Sequence, residues 1–110
     1  MLKDKLEIIL VTYNRKSYLQ KTLEYLFEEN SPVKNLQITI LDNKSNDGSS
    51  ELIDEYAKKY SNLIHIINNR NIGGNGNITK AFTISKKDYV WVICDDDKFD
   101  CKQFENINKF

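Results

Sequence analysis

At 110 residues, 40% of them hydrophobic, the chain can bury one modest core, and nothing in it suggests a second domain. Sixteen Lys plus Arg against sixteen Asp plus Glu give a formal charge of zero, so no global attraction to nucleic acid or to an anionic membrane is implied. No apolar run approaches the roughly 20 residues of a bilayer span, and the opening Met1-Leu2-Lys3-Asp4-Lys5 lacks a signal-peptide core, so a cytoplasmic protein is the expectation.

Leu6 to Thr12 is an apolar, β-branched run that reads as a buried first strand. Polar Tyr13-Asn14-Arg15-Lys16 interrupts it. Ser17 and Gln20 match a capping box, and Leu19, Leu23, Leu26 and Phe27 recur at helical spacing, which predicts a helix from about Ser17 to Glu29. Asn30-Ser31-Pro32 ends it, because proline cannot continue the hydrogen-bond ladder. Leu36 to Leu41 is a second strand, finishing at Asp42-Asn43. The turn-rich Lys44 to Ser50 follows, with Asp47-Gly48 and serines suited to cap a helix whose apolar face is Leu52, Ile53, Tyr56, Ala57 and Tyr60. Leu63 to Ile67 reads as strand three. Asn68 to Asn77 is dense in Asn and Gly, and Ile78, Ala81 and Phe82 suggest a short helix behind it. Tyr89 to Cys94 is strand four, a buried strand that runs straight into Asp95-Asp96-Asp97. The single histidine, His65, is expected on a strand surface, and one His with Cys94 and Cys101 does not make a zinc site or a disulfide framework.

Strands alternating with helices predict an α/β layer arrangement on a mostly parallel sheet. In open sheets of this kind, ligands sit outside the carboxyl ends of the strands. That rule gathers the loops Tyr13 to Lys16, Asp42 to Ser49, Asn68 to Asn77 and Asp95 to Asp97 at one rim. Together they offer an aromatic ring, a lone carboxylate, a glycine-rich backbone segment with an arginine, Arg70, and a metal-grade carboxylate pair, the parts needed to hold a nucleoside diphosphate and a bridging cation. Side-chain alternation places Asp95 and Asp97 on one side and Asp96 on the other, and hard oxygen donors of this kind suit Mg²⁺ or Mn²⁺ that also holds substrate phosphates. Each feature has a plainer reading alone: an acidic turn, a Tyr covering a sheet edge, Asp residues serving turns, Gly73, Gly74 and Gly76 as flexible positions, a solvated Arg70. The functional reading rests on their joint occurrence. Other nucleotide folds fit worse: the first strand-to-helix turn holds no glycine, Gly-x-x-x-x-Gly-Lys-Ser/Thr is absent, and the triple Asp lacks the Gly and distal Glu of an EF-hand.

Val11-Thr12-Tyr13-Asn14-Arg15, then Leu41-Asp42-Asn43-Lys44-Ser45-Asn46-Asp47-Gly48-Ser49, then Asn71-Ile72-Gly73-Gly74-Asn75-Gly76, then Asp95-Asp96-Asp97 follow one another in an order that resembles the family-two glycosyltransferases. The likeness covers essentially the whole chain and implies the GT-A fold, a Rossmann-like α/β sheet that binds nucleotide sugars. The Asn-Ile-Gly-Gly loop followed by Trp91 and the triple Asp is similar to the rhamnosyltransferase and galactofuranosyltransferase branch. The resemblance implies that Thr12, Tyr13, Asn14 and Arg15 form the pocket of a UDP- or dTDP-sugar, with Tyr13 against the base. It further implies that Asp42, beside Asn43, accepts from the base, and that Arg70, Asn71, Gly73 and Gly74 contact the nucleotide or brace the carboxylates. Asp95 and Asp96 would approach the ribose and diphosphate, and Asp97 with Asp95 would ligate Mn²⁺ or Mg²⁺.

Asn75 and Asn77 stand where that branch often has small residues. The family's acceptor half and its catalytic base lie beyond the metal motif, where only Asp100 to Phe110 remain here. Residues 1–110 are therefore expected to be one donor-binding domain of a larger inverting enzyme, acting on an acceptor glycan or lipid-linked glycan. No residue of the chain is assigned as the base, little transfer activity is expected of the chain alone, and an open sheet edge invites self-association. The alternative is a noncatalytic α/β module that binds nucleotide, metal or protein.

Overall fold

The computed structural model describes residues 4–96. The elements alternate as expected: β1 (Leu6–Thr12), α1 (Lys16–Phe27), β2 (Gln37–Asp42), α2 (Ser49–Lys59), β3 (Leu63–Ile67), α3 (Gly74–Ile84) and β4 (Tyr89–Cys94). The strands form one parallel sheet in the order β3-β2-β1-β4. Its register sets Thr12 beside Asp42, Asp42 beside Ile67 and Val11 beside Cys94, so the carboxyl ends of all these strands share one rim.

The two-residue strand period divides the core into two layers. Ile8 and Leu10 of β1 with Ile38 and Ile40 of β2 pack against Leu19, Leu23 and Leu26 of α1 and Ile53 of α2, all fully buried. The alternate residues Ile9, Val11 and Leu41 meet Ala81 of α3 on the other face. Burying each Leu or Ile contributes roughly 1.5–3 kcal/mol, which is why β1, buried along its whole length, sits at the centre of the order. The stacked rings of Phe27 and Tyr60, with centroids 4.2 Å apart, tie the end of α1 to the end of α2. No helix among the described residues is long and apolar enough to cross a membrane.

Several local details differ from the sequence expectation. β4 is half-buried rather than buried, with only Ile93 fully enclosed, because among the described residues it pairs with β1 alone and α3 shields it incompletely. Helix α1 begins one residue before Ser17 and carries no side-chain cap of its own. Its first amide is capped from a distance, with Lys16 N donating to Asp47 Oδ2 at 3.0 Å, while Asp47 Oδ1 accepts from Ser49 N and Ser49 Oγ at the start of α2. One carboxylate thus caps two helices, which suits the partial positive charge at each N-terminus. Gly48, at φ +94°, makes the turn into α2 that a residue with a Cβ adopts only under strain. Helix α3 starts inside the glycine segment, four residues ahead of Ile78, because Gly73 at φ +82° turns the chain and accepts the Asn77 amide.

Candidate functional site

A cleft of about 330 Å³ opens over the strand ends on the α3 side of the sheet. Its floor is Val11, Thr12 and Cys94; Tyr13 and Arg15 form one wall, Asn43, Asn71, Gly73 and Gly74 with Asn77 and Ile78 of α3 another, and Asp95 and Asp96 the third. Four sequence-distant loops therefore meet in one place. Tyr13, which lines the cleft, is 41% exposed.

The acidic wall is built from β1, α1 and the turn after β4. Thr12 Oγ1 donates to Asp95 Oδ2 at 2.8 Å, and Thr22 Oγ1 from α1 donates to the Asp95 carbonyl at 2.9 Å, so both the side chain and the backbone of Asp95 are fixed. Burial pushes the Asp95 carboxyl above its ordinary range, although Thr12 and the Arg15 guanidinium pull the other way. Asp96 is exposed and pairs with Arg15 across the cleft mouth. That pairing and the nearby Asp95 hold the Arg15 guanidinium even more firmly charged than usual. The strand ends at Cys94 and both carboxylates lie in a turn, yet the expected alternation persists in their burial: Asp95 inward, Asp96 outward. Asp97, the other expected metal ligand, lies outside the described residues.

The amide-rich wall is cross-linked through Asn43. Its Nδ2 donates to Asn71 Oδ1 at 2.8 Å and to the Gly73 carbonyl at 3.2 Å. Its Oδ1 accepts from Ile72 N and from Asn68 Nδ2, both at 2.9 Å. Asn68 continues to Asn77 Oδ1 and accepts from Lys80 Nζ, and Asn77 Nδ2 donates to the Leu41 carbonyl. The loop before α3 is thereby held to the end of β2 by carboxamides that satisfy one another, so the glycine-rich backbone is ordered before any ligand arrives. The sequence places Asn68 and Asn77 in a rim loop without assigning them this bracing role, and it gives no sign of Thr22. Nothing local marks them, since each is defined by partners 9 to 73 positions away.

Three expected site residues lie off the cleft surface. Asp42 is fully buried. It shares the strand parity of Ile38 and Ile40, so its side chain points to the α2 face rather than to a base on the α3 side. There Oδ1 accepts the Ser45 amide at 3.0 Å and Oδ2 faces His65 Nε2 at 4.0 Å. Burial pushes the Asp42 carboxyl up, but His65 and the Ser45 donors outweigh it and the net displacement is downward. Asn14, left-handed at φ +49°, staples two loops instead of facing the cleft: its N–H donates to Ser45 Oγ and its Oδ1 accepts from Asn46 N. Arg70 is exposed and is not part of the cleft wall. His65, expected on a strand surface, has a side chain only 8% exposed, because its parity matches that of Leu63 and turns it toward α2.

Comparison with known proteins agrees with this architecture. The profile described as "Glycosyl transferase family 2" matches residues 7–109. The abequosyltransferase RfbV of Salmonella typhimurium is 33% identical over 87 residues, which is 78% of this chain and 26% of that protein. Staphylococcus aureus TarS, residues 1–349, in complex with UDP-GlcNAc superposes with a TM-score of 0.76 at 20% identity, over 96% of this chain and 30% of that one. The mannosyltransferase PcManGT of Pyrobaculum calidifontis, in complex with GDP-Man and Mn²⁺, gives 0.70 at 19% identity, over 84% and 27%. The chain thus spans about a quarter of the length of the curated relative and less than a third of these structures. With the profile matching nearly its whole length and the sheet shared with solved GT-A enzymes, the chain belongs to glycosyl transferase family 2 and has the GT-A fold.

Proposed function

We propose that residues 1–110 form the donor-binding domain of an inverting glycosyltransferase that uses a UDP- or dTDP-sugar. The observation that carries this reading is the convergence of the Tyr13 loop, the Asn43-braced glycine loop and Asp95-Asp96 on one cleft at the carboxyl ends of parallel strands. Tyr13 stacks on the base. Backbone amides at the first turn of α3 face the diphosphate, where a helix N-terminus favours negative charge. Asp42 is assigned a supporting role behind the wall, in keeping with its burial.

A divalent cation is tested by the donor set. No group of three or more His, Cys, Asp or Glu able to hold a metal occurs among the described residues. Mg²⁺ and Mn²⁺ sites of this class use one or two carboxylates with the remaining positions taken by water and substrate phosphates, and Asp95, a hard oxygen donor on the cleft wall, fits that pattern as one of the pair. Asp97 is proposed as the other. Bound there, the cation would neutralise the departing nucleoside diphosphate. For its part the chain orients the donor: Thr12 and Thr22 fix Asp95, and Arg15 is placed to exchange Asp96 for phosphate. In the full reaction an acceptor hydroxyl of a glycan or lipid-linked glycan attacks the anomeric carbon opposite the diphosphate, its proton passing to a base. None of the residues on the cleft is assigned that role.

Calorimetric titration of the 110-residue chain with UDP, dTDP and GDP, each with and without Mn²⁺, tests the proposal. Metal-dependent binding of UDP or dTDP that is lost in Asp95→Ala is expected. A folded chain that binds none of them would refute it.

A further inference from the structure

We propose that His65 is a positioning residue for this cleft: lodged between Asp54 of α2 and Asp42 of β2, its ring holds the Asp42 carboxylate in place, and Asp42 in turn fixes the loops that carry Tyr13 and Arg15. The inference rests on the donor-site reading for its consequence, though not for its geometry. His65 Nδ1 lies 2.8 Å from Asp54 Oδ1, and Nε2 lies 4.0 Å from Asp42 Oδ2. Asp42 Oδ2 and His65 Nε2 are both buried and neither has a hydrogen-bond partner, so each faces the other across 4.0 Å. A buried carboxylate oxygen without a donor is costly unless opposite charge stands close by. A neutral ring with its proton on Nδ1 would turn a lone pair toward that oxygen, whereas the doubly protonated ring presents N–H to both carboxylates.

The charged groups that face the ring are Asp42 from β2 and Asp54 from α2. Burial pulls the imidazole down, yet these two carboxylates outweigh it and raise it above its ordinary 6.5. From Asp42 the chain of contacts runs outward: Oδ1 to Ser45 N, Ser45 Oγ to Asn14 N, and Asn14 sits between the two wall residues. Loss of the ring proton leaves Asp42 Oδ2 facing a lone pair, and the Ser45 turn loses its anchor.

As the chain's single histidine, His65 gives one ring resonance to follow by NMR in the full 110-residue protein. The ring should titrate above 6.5, should fall in Asp42→Asn, and should fall in Asp54→Asn, a surface change that leaves the core intact. The Ser45 and Asn14 amides should titrate at the same midpoint. Affinity for UDP-GlcNAc with Mn²⁺, a probe whose own groups do not titrate between pH 6 and 8, should weaken measurably over that interval, and this dependence should vanish in His65→Gln. A ring titrating at or below 6.5, or amides that ignore it, overturns the inference, as does a His65→Gln chain that binds like the parent at both pH values. If the amides follow the ring but no nucleotide or nucleotide sugar binds the parent chain, the donor-site reading fails and the positioning contact stands.

Discussion

Replacing Asn43 by Ala removes four hydrogen bonds at once: those to Asn71 and the Gly73 carbonyl, and those from Ile72 and Asn68. At a net 0.5–1.5 kcal/mol each, the upper range is roughly 2–6 kcal/mol. Three of the four partner residues, Asn71, Ile72 and Gly73, are exposed, so water replaces Asn43 there and their loss is cheap. Asn68 is buried but keeps Asn77 and Lys80. The expected loss is therefore about 2 kcal/mol, toward the bottom of that range, or a fall in Tm of about 8–16 °C for a domain of this size. Urea unfolding followed by circular dichroism reads it directly, with an unchanged m-value showing that the denatured state is unaltered. Hydrogen exchange at Ile72 and Gly73 should accelerate by more than the global loss accounts for. A destabilisation under about 0.5 kcal/mol with unchanged exchange would show that the carboxamide network does not order the glycine loop.

Asp47→Ala should cost about 1–2 kcal/mol by urea titration, since one side chain caps both α1 and α2; an effect confined to amides of α2 would contradict the shared cap. Lys44 is left-handed at φ +69°, so Lys44→Gly should stabilise by about 0.5–1 kcal/mol, the relief of a strained backbone less the added chain entropy, and a lower Tm would count against this. Between pH 6 and 8, His65 is, among the described residues, the only group with a resolved displacement whose ordinary value falls in the window. Its folded value is raised, so its contribution is full below 6.5 and is lost as pH rises through the folded value. The urea midpoint should accordingly decline from pH 6 to 8 in the parent chain and stay flat in His65→Gln.

β1, β3 and β4 were legible to the residue, because continuous β-branched runs bounded by polar clusters leave little choice of boundary. Helix starts were less so. The Ser17-Gln20 pattern is a local signal, but the helix starts one residue earlier and its first amide, Lys16 N, is met by Asp47, 31 positions away, and proximity of that kind is created only by the β1–β2 register. The same reasoning covers Asp42. Its place in a strand-end motif was readable, whereas the face it presents depends on where the strand stops, and a single residue of parity turns it from the cleft to His65. Edge position explains β4, whose sequence is as apolar as β1 but whose neighbour among the described residues is one strand rather than two.

The central claim is that loops distant in order form one donor cradle, and chemical-shift mapping of the ¹⁵N-labelled chain with UDP and Mg²⁺ tests it most directly. The account predicts that perturbed amides cluster at Val11 to Arg15, Asn43, Asn71 to Ile78 and Cys94 to Asp96, and that those of α2 and the lower ends of the strands stay fixed. Perturbations centred elsewhere on the sheet, or none at millimolar nucleotide, would contradict it.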